Sequence, residues 1–211
     1  MKNGKFAKRG VATKAMVMIL SLMLVVGLSV GGTLAWLTAT APTVTNTFTV
    51  GDITIDLWEN DFVLSRNSLD QSKKVTVEND YKVVPGGTSP KNPTLTVNAK
   101  SENCYVYVTV ENNMKIGETT VATVDVQNTW NVVGTNGNKT LYRYNSIVNY
   151  SESAQNLAVF TQVTYSGTEI TKANISQLSG KTIVINGYAH QSDNTNQATA
   201  DAAAKAWAGI A

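Results

Sequence analysis

The chain has 211 residues, with 17 basic and 15 acidic side chains and a formal net charge of +2. Five of the basic residues and none of the acidic ones lie in residues 1–35, so residues 36–211 carry 12 basic and 15 acidic side chains. The net charge of this larger part is −3, and composition therefore gives no reason to expect a nucleic-acid partner. Because Cys104 is the single cysteine, an internal disulfide is excluded.

Residues 1–35 have the layout of a secretory signal peptide. The basic residues fall within residues 1–14, and an apolar run of sixteen residues follows from Ala15 to Val30. A basic region, a short apolar region and a small-residue cleavage site are the marks of such a leader. A retained membrane anchor is the alternative, but the run is slightly shorter than the roughly 17 to 25 residues of a membrane-spanning helix. We expect a secreted protein that contacts the membrane only through its uncleaved leader.

Two positions fit the small-residue rule for the cleavage site. Cleavage after Ala35 leaves Trp36 as the new N-terminus, whereas residues 39–41 fit the A-x-A rule better but place Pro42 after the cut. Proline has a fixed φ and no N–H, which suits a scissile bond poorly. We therefore predict cleavage between Ala35 and Trp36. The mature chain of about 176 residues fits one domain with a substantial core.

The rest of the chain has the pattern of a β domain. It is rich in Val, Thr, Ile and Tyr, which suit a pleated surface, and short alternating segments recur between turn signals. This spacing predicts an antiparallel sandwich rather than βαβ units. The polar residues 60–72 are predicted to be a connection, and residues 170–178 a connector with a helical turn. The predicted strands are residues 43–50, 52–58, 73–78, 94–99, 103–112, 120–127, 130–134, 139–145, 157–165 and 181–190.

Several local features refine this pattern. Cys104 begins the apolar face of the strand at residues 103–112, which favours a buried core residue over a reactive thiol. Asn136-Gly137 favours a type I′ hairpin, and Asn186-Gly187 indicates a β-bulge in the last strand. The alanine-rich residues 199–208 predict a short helix, which Trp207 would dock onto the sandwich.

The sequence carries little catalytic chemistry. The only histidine is His190, at the end of a predicted strand, so the two-histidine zinc helix of a metalloprotease cannot form. No phosphate-binding loop or nucleophile elbow is present, and we assign no catalytic, cofactor or metal residue. A calcium site built from loops stays open, without assignable ligands. Four tyrosines could form a carbohydrate-binding or self-association surface, or pack across strands: Tyr105, Tyr107, Tyr142 and Tyr144.

The junction sequence resembles that of a known family. GGTLAWLT followed by NTFTVGDITIDLWE looks like the signal junction and first strands of the TasA/camelysin family, secreted biofilm-matrix proteins of Gram-positive bacteria that a dedicated signal peptidase processes. VVPGGTSPKNPTLTVNAKSENCYVYVTVEN is similar to the family's Pro-Gly turn and the strands after it. Later segments look like those of clostridial members: TWNVVG, KTLYRY, LAVFTQVTY, GKTIVINGYAHQ and AAAKAWAGI.

This resemblance implies an all-β fold, a jelly-roll-like antiparallel β-sandwich at residues 43–211, whose subunits polymerise head-to-tail into extracellular fibres. In the family, the N-terminal segment of one subunit completes the sheet of the next. Here the matching segment is an arm at residues 36–42, in which one face can be buried while the backbone pairs with an open sheet edge. Pro42 would mark the join with the subunit's own strands. The candidate donor-arm residues are Trp36, Leu37, Ala39, Ala41 and Pro42.

Other functions remain as alternatives to a fibre subunit. A monomeric cell-surface adhesin or ligand-binding sandwich would use the tyrosine surface. A camelysin-like secreted metalloprotease is the other alternative, for which the sequence supplies no histidine cluster. The expected partners are further copies of the chain, the signal peptidase during export, and other matrix components.

Overall fold

A computed structural model of the chain describes residues 14–23, 52–76 and 79–210. The chain divides into two units, Met1–Thr49 and Val50–Ala211, which we describe separately. In the first unit, residues 14–23 form a helix, α1, with exposed side chains. In the described part of the chain, no helix has the length and apolarity needed to span a bilayer. The predicted cleavage site at Ala35, the arm at residues 36–42 and the strand at residues 43–50 lie outside the described residues.

The second unit is predominantly β, and its sheets are antiparallel. One sheet has the strand order β11-β4-β1-β2 and a second has the order β13-β5-β10-β9; smaller sheets are β3-β12-β8 and β6-β7. The strands are β1 (Ile55–Val63), β2 (Ser68–Val75), β3 (Thr88–Pro90), β4 (Thr94–Val97), β5 (Cys104–Asn112), β6 (Lys115–Ile116), β7 (Thr119–Thr120), β8 (Ala122–Val124), β9 (Trp130–Asn136), β10 (Lys139–Tyr144), β11 (Gln155–Ala158), β12 (Gln162–Tyr165) and β13 (Ile183–Gln191). A 3-10 turn spans Ile175–Leu178, and helix α2 spans Gln197–Ala208.

The two four-stranded sheets pack face to face around the main core. Alternation along β5 sends Cys104, Val106 and Val108 into this core, where all three are fully buried. The facing strand β4 contributes Leu95 and Val97. At about 25 cal/mol per Å² of apolar surface, each fully buried aliphatic side chain contributes roughly 1.5 to 3 kcal/mol. The sandwich and the core position of Cys104 are therefore confirmed.

Helix α2 covers the outer face of the second sheet. Asn196 caps the helix by accepting a hydrogen bond from the Thr199 N–H, and Gly209 ends it in the left-handed conformation. The alanines at a four-residue spacing lie on the sheet and are buried: Ala200, Ala204 and Ala208. Trp207 stacks on Tyr188 but stays 39% exposed, so alanine packing, rather than Trp207 alone, holds the predicted helix.

The prediction of a connection at residues 60–72 is wrong. β1 continues to Val63 and pairs with β2, which begins at Ser68. Polar residues can occupy these strands because neighbouring segments supply hydrogen-bond partners for their side chains. Asn60, for example, is buried, and its side chain donates to the Lys73 carbonyl and accepts from Asn92. The predicted strand at residues 157–165 is likewise two strands, β11 and β12.

Two glycine predictions need correction. β13 pairs with β5 in unbroken register through Asn186 and Gly187, so no bulge forms there. A Cβ at Gly187 would lie 2.6 Å from Leu95 Cδ1, so the glycine lets the two sheets approach closely. The hairpin between β9 and β10 is confirmed, but only Gly137 in its two-residue loop has a positive φ, of 60°. A type I′ turn needs two such residues, so this glycine-first loop fits type II′.

Candidate functional site

Among the described residues, one side of the sandwich is open, and β13 forms one of its rims. β13 pairs with β5 and with no other strand among the described residues. Thr182 O accepts a hydrogen bond from Asn113 N, and Ser192 N donates one to Asn103 O. These two bonds show which residues of β13 direct their backbone groups toward β5. Antiparallel strands alternate the direction of their backbone groups. The residues whose N–H and C=O point away from β5 are therefore Ile183, Ile185, Gly187, Ala189 and Gln191.

The first half of β1 forms the opposite rim. β1 pairs with β4 from Ile55 to Trp58, but it pairs with β2 only from Glu59 onward. On the side away from β4, the segment 55–58 therefore has no strand partner in the described part of the chain. The two sheets lie close together here, because a Cβ added to Gly187 would be 3.6 Å from Ile55 Cδ1.

Apolar side chains along this open side are less buried than those in the rest of the core. Leu95 and Val106 are fully buried, whereas the inward-facing residues of the two rims are only half-buried. Such an incompletely covered apolar surface is typical of a binding groove or an interface. The half-buried residues are Ile53, Ile55, Leu57, Ile183 and Ile185.

A cavity of about 700 Å³ occupies the gap between the rims. Its walls include Leu57 and Tyr81, Ile183 and Ile185 of β13, and Met114. This volume lies in the range of sites that enclose a ligand or a peptide segment. The lining is mixed, because charged residues such as Asp80, Lys82 and Lys181 stand beside the apolar ones. We call this cavity, together with the outer edge of β13, the acceptor groove.

The other three outer strands of the two four-stranded sheets are protected against pairing. β2 carries the exposed Lys73 and Lys74, and its pairing with β1 shifts register at Asn60/Asp61. The pairing of β9 also shifts register, and β11 has only four residues. Bulges, lysines and short length all discourage the addition of another strand. β13, with nine residues in unbroken register, has none of these protections.

A buried ion pair lies in the wall of the acceptor groove. Lys91 Nζ lies 2.7 Å from Glu59 Oε2, and the two side chains are only 9% and 13% exposed. The other oxygen of Glu59 accepts a hydrogen bond from Asn79 Nδ2. Lys91 Nζ also lies 4.8 Å from the ring centroid of Tyr81. Because the two charges are in direct contact, the ion pair carries no net charge.

The hydroxyl of Tyr81 lies buried beside this ion pair without a hydrogen-bond partner among the described residues. Burial raises the pKa of Tyr81, and the negative charge of Glu59 raises it further. The hydroxyl therefore stays protonated.

The residues singled out in the sequence do not converge on one site. Tyr105 and Tyr107 face α2, whereas Tyr142 and Tyr144 pack against the main core, so the four tyrosines form no common surface. His190 lies near the end of β13, as predicted, with its Nδ1 2.8 Å from Gln191 O. The described residues bring together no group of three or more His, Cys, Asp or Glu side chains suited to a metal ion.

The Cys104 thiol should be unreactive in the folded protein. Its side chain is fully buried, and burial raises the pKa of the thiol to about 11. At pH 8 the thiolate is therefore scarce as well as inaccessible. We expect a maleimide reagent at pH 8 to leave the native protein unlabelled over the time in which it fully labels protein in urea, as read by mass spectrometry. Rapid labelling of the native protein would contradict the buried position.

Sequence reasoning missed the acceptor groove. The alternating isoleucines predict β13, but local periodicity cannot show whether a strand lies at the edge or the centre of a sheet. Glu59 and Lys91 lie 32 positions apart, so no spacing rule links them. The one available signal is the long run from Ile183 to Gln191, which contains neither a lysine nor a proline.

Comparison with protein-family models, with curated proteins and with solved structures finds no match to this chain.

Proposed function

We propose that this protein is a secreted structural subunit of an extracellular matrix, with a jelly-roll-like sandwich, and that it polymerises by strand donation. The acceptor groove of one subunit receives the N-terminal arm, Trp36–Pro42, of another copy. The observation that carries the proposal is the outer edge of β13, which is long, regular and unpaired among the described residues. An added strand would satisfy its backbone groups and cover its half-buried isoleucines.

The arm and the groove have matching chemistry. In the arm, Leu37, Ala39 and Ala41 alternate with threonines, so an extended arm has one apolar face. Paired with β13, this face would lie in the groove beside Ile183 and Ile185. The seven residues of the arm are close in number to the nine of β13.

Processing of the leader would control assembly. While residues 1–35 are attached, the arm is tethered to the membrane and cannot enter another subunit. Cleavage before Trp36 frees it. Because donor arm and acceptor groove are different surfaces of one chain, each addition leaves a free groove at one end and a free arm at the other, and such open head-to-tail contacts produce filaments.

Disulfide trapping tests this contact directly. Cysteine is introduced at Ala39 and combined in turn with cysteine at Ile183, Ile185 or Ala189, whose side chains share the inward face of β13. Directly opposed residues in paired strands have Cβ atoms about 4.5 to 5.5 Å apart, so a small backbone movement brings two cysteines within the roughly 3.5 to 4.5 Å of a disulfide. We expect a mild oxidant to produce a ladder of covalent oligomers from at least one combination, read on a non-reducing gel.

The control combines cysteine at Ala39 with cysteine at Val132, which is 64% exposed on the protected edge strand β9. This variant should give no ladder. The native Cys104 stays unreactive in both cases because of its burial. Equal ladders from the β13 and β9 variants, or none from any β13 variant in samples that contain fibres, would contradict the proposal.

A further inference from the structure

We propose that the side chains of Lys91 and Asn79 join in the folded protein through an amide bond, with Glu59 as the catalytic base. The Lys91 amine takes the place of the Asn79 amide nitrogen, which leaves as ammonia. The inference goes beyond the proposed function and holds whether or not the subunits polymerise. It gives a chain whose single cysteine excludes an internal disulfide a covalent cross-link inside its β domain.

One carboxylate holds the two reacting side chains together. Lys91 Nζ lies 2.7 Å from Glu59 Oε2, and Asn79 Nδ2 lies 2.8 Å from Glu59 Oε1. The amine and the amide therefore contact the two oxygens of the same group and are kept adjacent. Reactants that are held next to each other and well oriented can react as if one were present at an effective concentration of about 10⁵ M or more.

The Asn79 amide is held at both its oxygen and its nitrogen. The Phe62 N–H donates to Asn79 Oδ1 at 3.0 Å. Negative charge develops on this oxygen when an amine adds to the amide carbon, and a backbone N–H already in place stabilises that charge. At the other end, Asn79 Nδ2 donates to the Asn60 carbonyl at 3.0 Å as well as to Glu59. The group that leaves therefore contacts the residue that supplies its proton.

The surroundings favour attack by the amine over attack by water. The Lys91 and Glu59 side chains are only 9% and 13% exposed, and the Tyr81 ring lies beside Lys91 and packs against Phe62. Excluding water from a reactive site suppresses hydrolysis, which here would convert the asparagine to aspartate. The three reacting residues also line the cavity of the acceptor groove, which gives ammonia a way out.

The reaction balances without a cofactor or an oxidant. The Lys91 ammonium passes one proton to Glu59 along the 2.7 Å contact, and the neutral Nζ then forms a bond to Asn79 Cγ. A second proton moves from Nζ to Asn79 Nδ2 by way of Glu59. The bond between Cγ and Nδ2 breaks, and ammonia leaves. The remaining proton stays on Glu59 or leaves with ammonia as ammonium, so charge is conserved.

The cross-link changes the state of the groove wall. It closes residues 79–91 into a ring that contains Tyr81 and β3, and such a closure stabilises the fold by restricting the unfolded chain. The reaction also consumes the ion pair between Glu59 and Lys91. The stability that the ion pair itself contributes is therefore a property of the unlinked chain, which its mass identifies.

Mass spectrometry tests the bond directly on the chain that begins at Trp36. We expect the intact mass of the folded protein to be lower than that of its sequence by one ammonia molecule. Trypsin should no longer cut after Lys91, because the side-chain nitrogen is acylated. The digest should instead contain a branched product that joins residues 75–82 to residues 83–100.

Matched variants separate the roles of the three residues. Lys91→Arg keeps the positive charge but supplies no amine, so it should keep the full mass. Lys82→Arg makes the same change at another lysine that lines the cavity, and it should link as the wild type does. Glu59→Gln should slow the reaction about a hundredfold or more, because it removes the base. Circular dichroism checks folding, and Glu59→Asp, with a shorter carboxylate, replaces Glu59→Gln if that variant does not fold.

Three results would overturn the inference. The first is a folded wild-type protein with the full mass of its sequence. The second is a loss of ammonia in a protein that trypsin still cuts after Lys91, since a succinimide at Asn136-Gly137 would give that result. The third is a folded Glu59 variant that links at the wild-type rate, which would remove Glu59 from the mechanism. None of these results bears on strand donation, which fibre formation by the same samples tests separately.

Discussion

A chain that begins at Thr43 is expected to form no fibres under conditions in which the chain that begins at Trp36 forms them. The shorter chain keeps the sandwich and the acceptor groove but lacks the arm that would enter the groove of a neighbour. Without the arm, neither the edge hydrogen bonds of β13 nor the cover over its isoleucines can form between subunits. Negative-stain electron microscopy, with sedimentation to quantify polymer, measures the difference. Equal fibre yields from the two chains would contradict strand donation.

Two controls separate the loss of the arm from a loss of folding. The chain that begins at Thr43 should unfold at nearly the same temperature as the longer chain, because in the proposed assembly the arm packs into a neighbouring subunit and not into its own core. The substitution Ala189→Pro should block assembly in a different way, by altering the acceptor groove rather than the arm. The Ala189 N–H points away from β5, so proline there spares the bonds to β5 while removing a donor from the outer edge. Both variants should therefore be folded and deficient in fibres.

Replacing Lys91 by methionine is expected to destabilise the monomer by about 3 kcal/mol. Methionine has a similar length, but its loss of charge leaves the Glu59 carboxylate buried without its counter-ion. The penalty for an uncompensated buried charge is larger than the net contribution of the intact pair. Urea denaturation, with the slope held common to both proteins, measures the change in unfolding free energy.

The double variant Glu59→Gln with Lys91→Met should recover most of that loss, because it removes both charges and keeps an amide where the carboxylate was. The exposed pair Lys100–Glu152, with each side chain 71% exposed, gives the matched comparison. Lys100→Met should change stability by no more than about 0.5 kcal/mol. A loss at Lys91 as small as that at Lys100 would show that the buried pair is solvated in solution.

The sequence predicts the elements whose burial follows a simple period. β5 shows this well, because its alternating valines match the two-residue period of a strand that is buried on one face. Residues 60–72 were mispredicted because their polar side chains are satisfied by partners distant in sequence, such as Asn92 for Asn60. Gly187 was misread for a related reason: the need for a glycine comes from Leu95 in the facing sheet.

Only one part of the candidate site can be predicted from the sequence. The arm can be proposed from sequence because cleavage signals and alternation are local. The acceptor groove depends on the order of strands in two sheets, which leaves β13 at an edge and the first half of β1 without a neighbour on one side. That order arises from contacts distant in sequence, which no local pattern encodes.

Helix α2 would also limit the directions in which subunits of the proposed polymer can associate. It lies across the outer surface of the second sheet, fixed there by the 2.6 Å contact between Arg143 Nη1 and Asp201 Oδ2. In cross-β structures, sheets from different chains stack face to face, which requires sheet faces that no other element covers. A polymer of these subunits would therefore grow along its axis without adding layers on the side that carries α2. We expect a thin fibre of folded subunits rather than a layered amyloid.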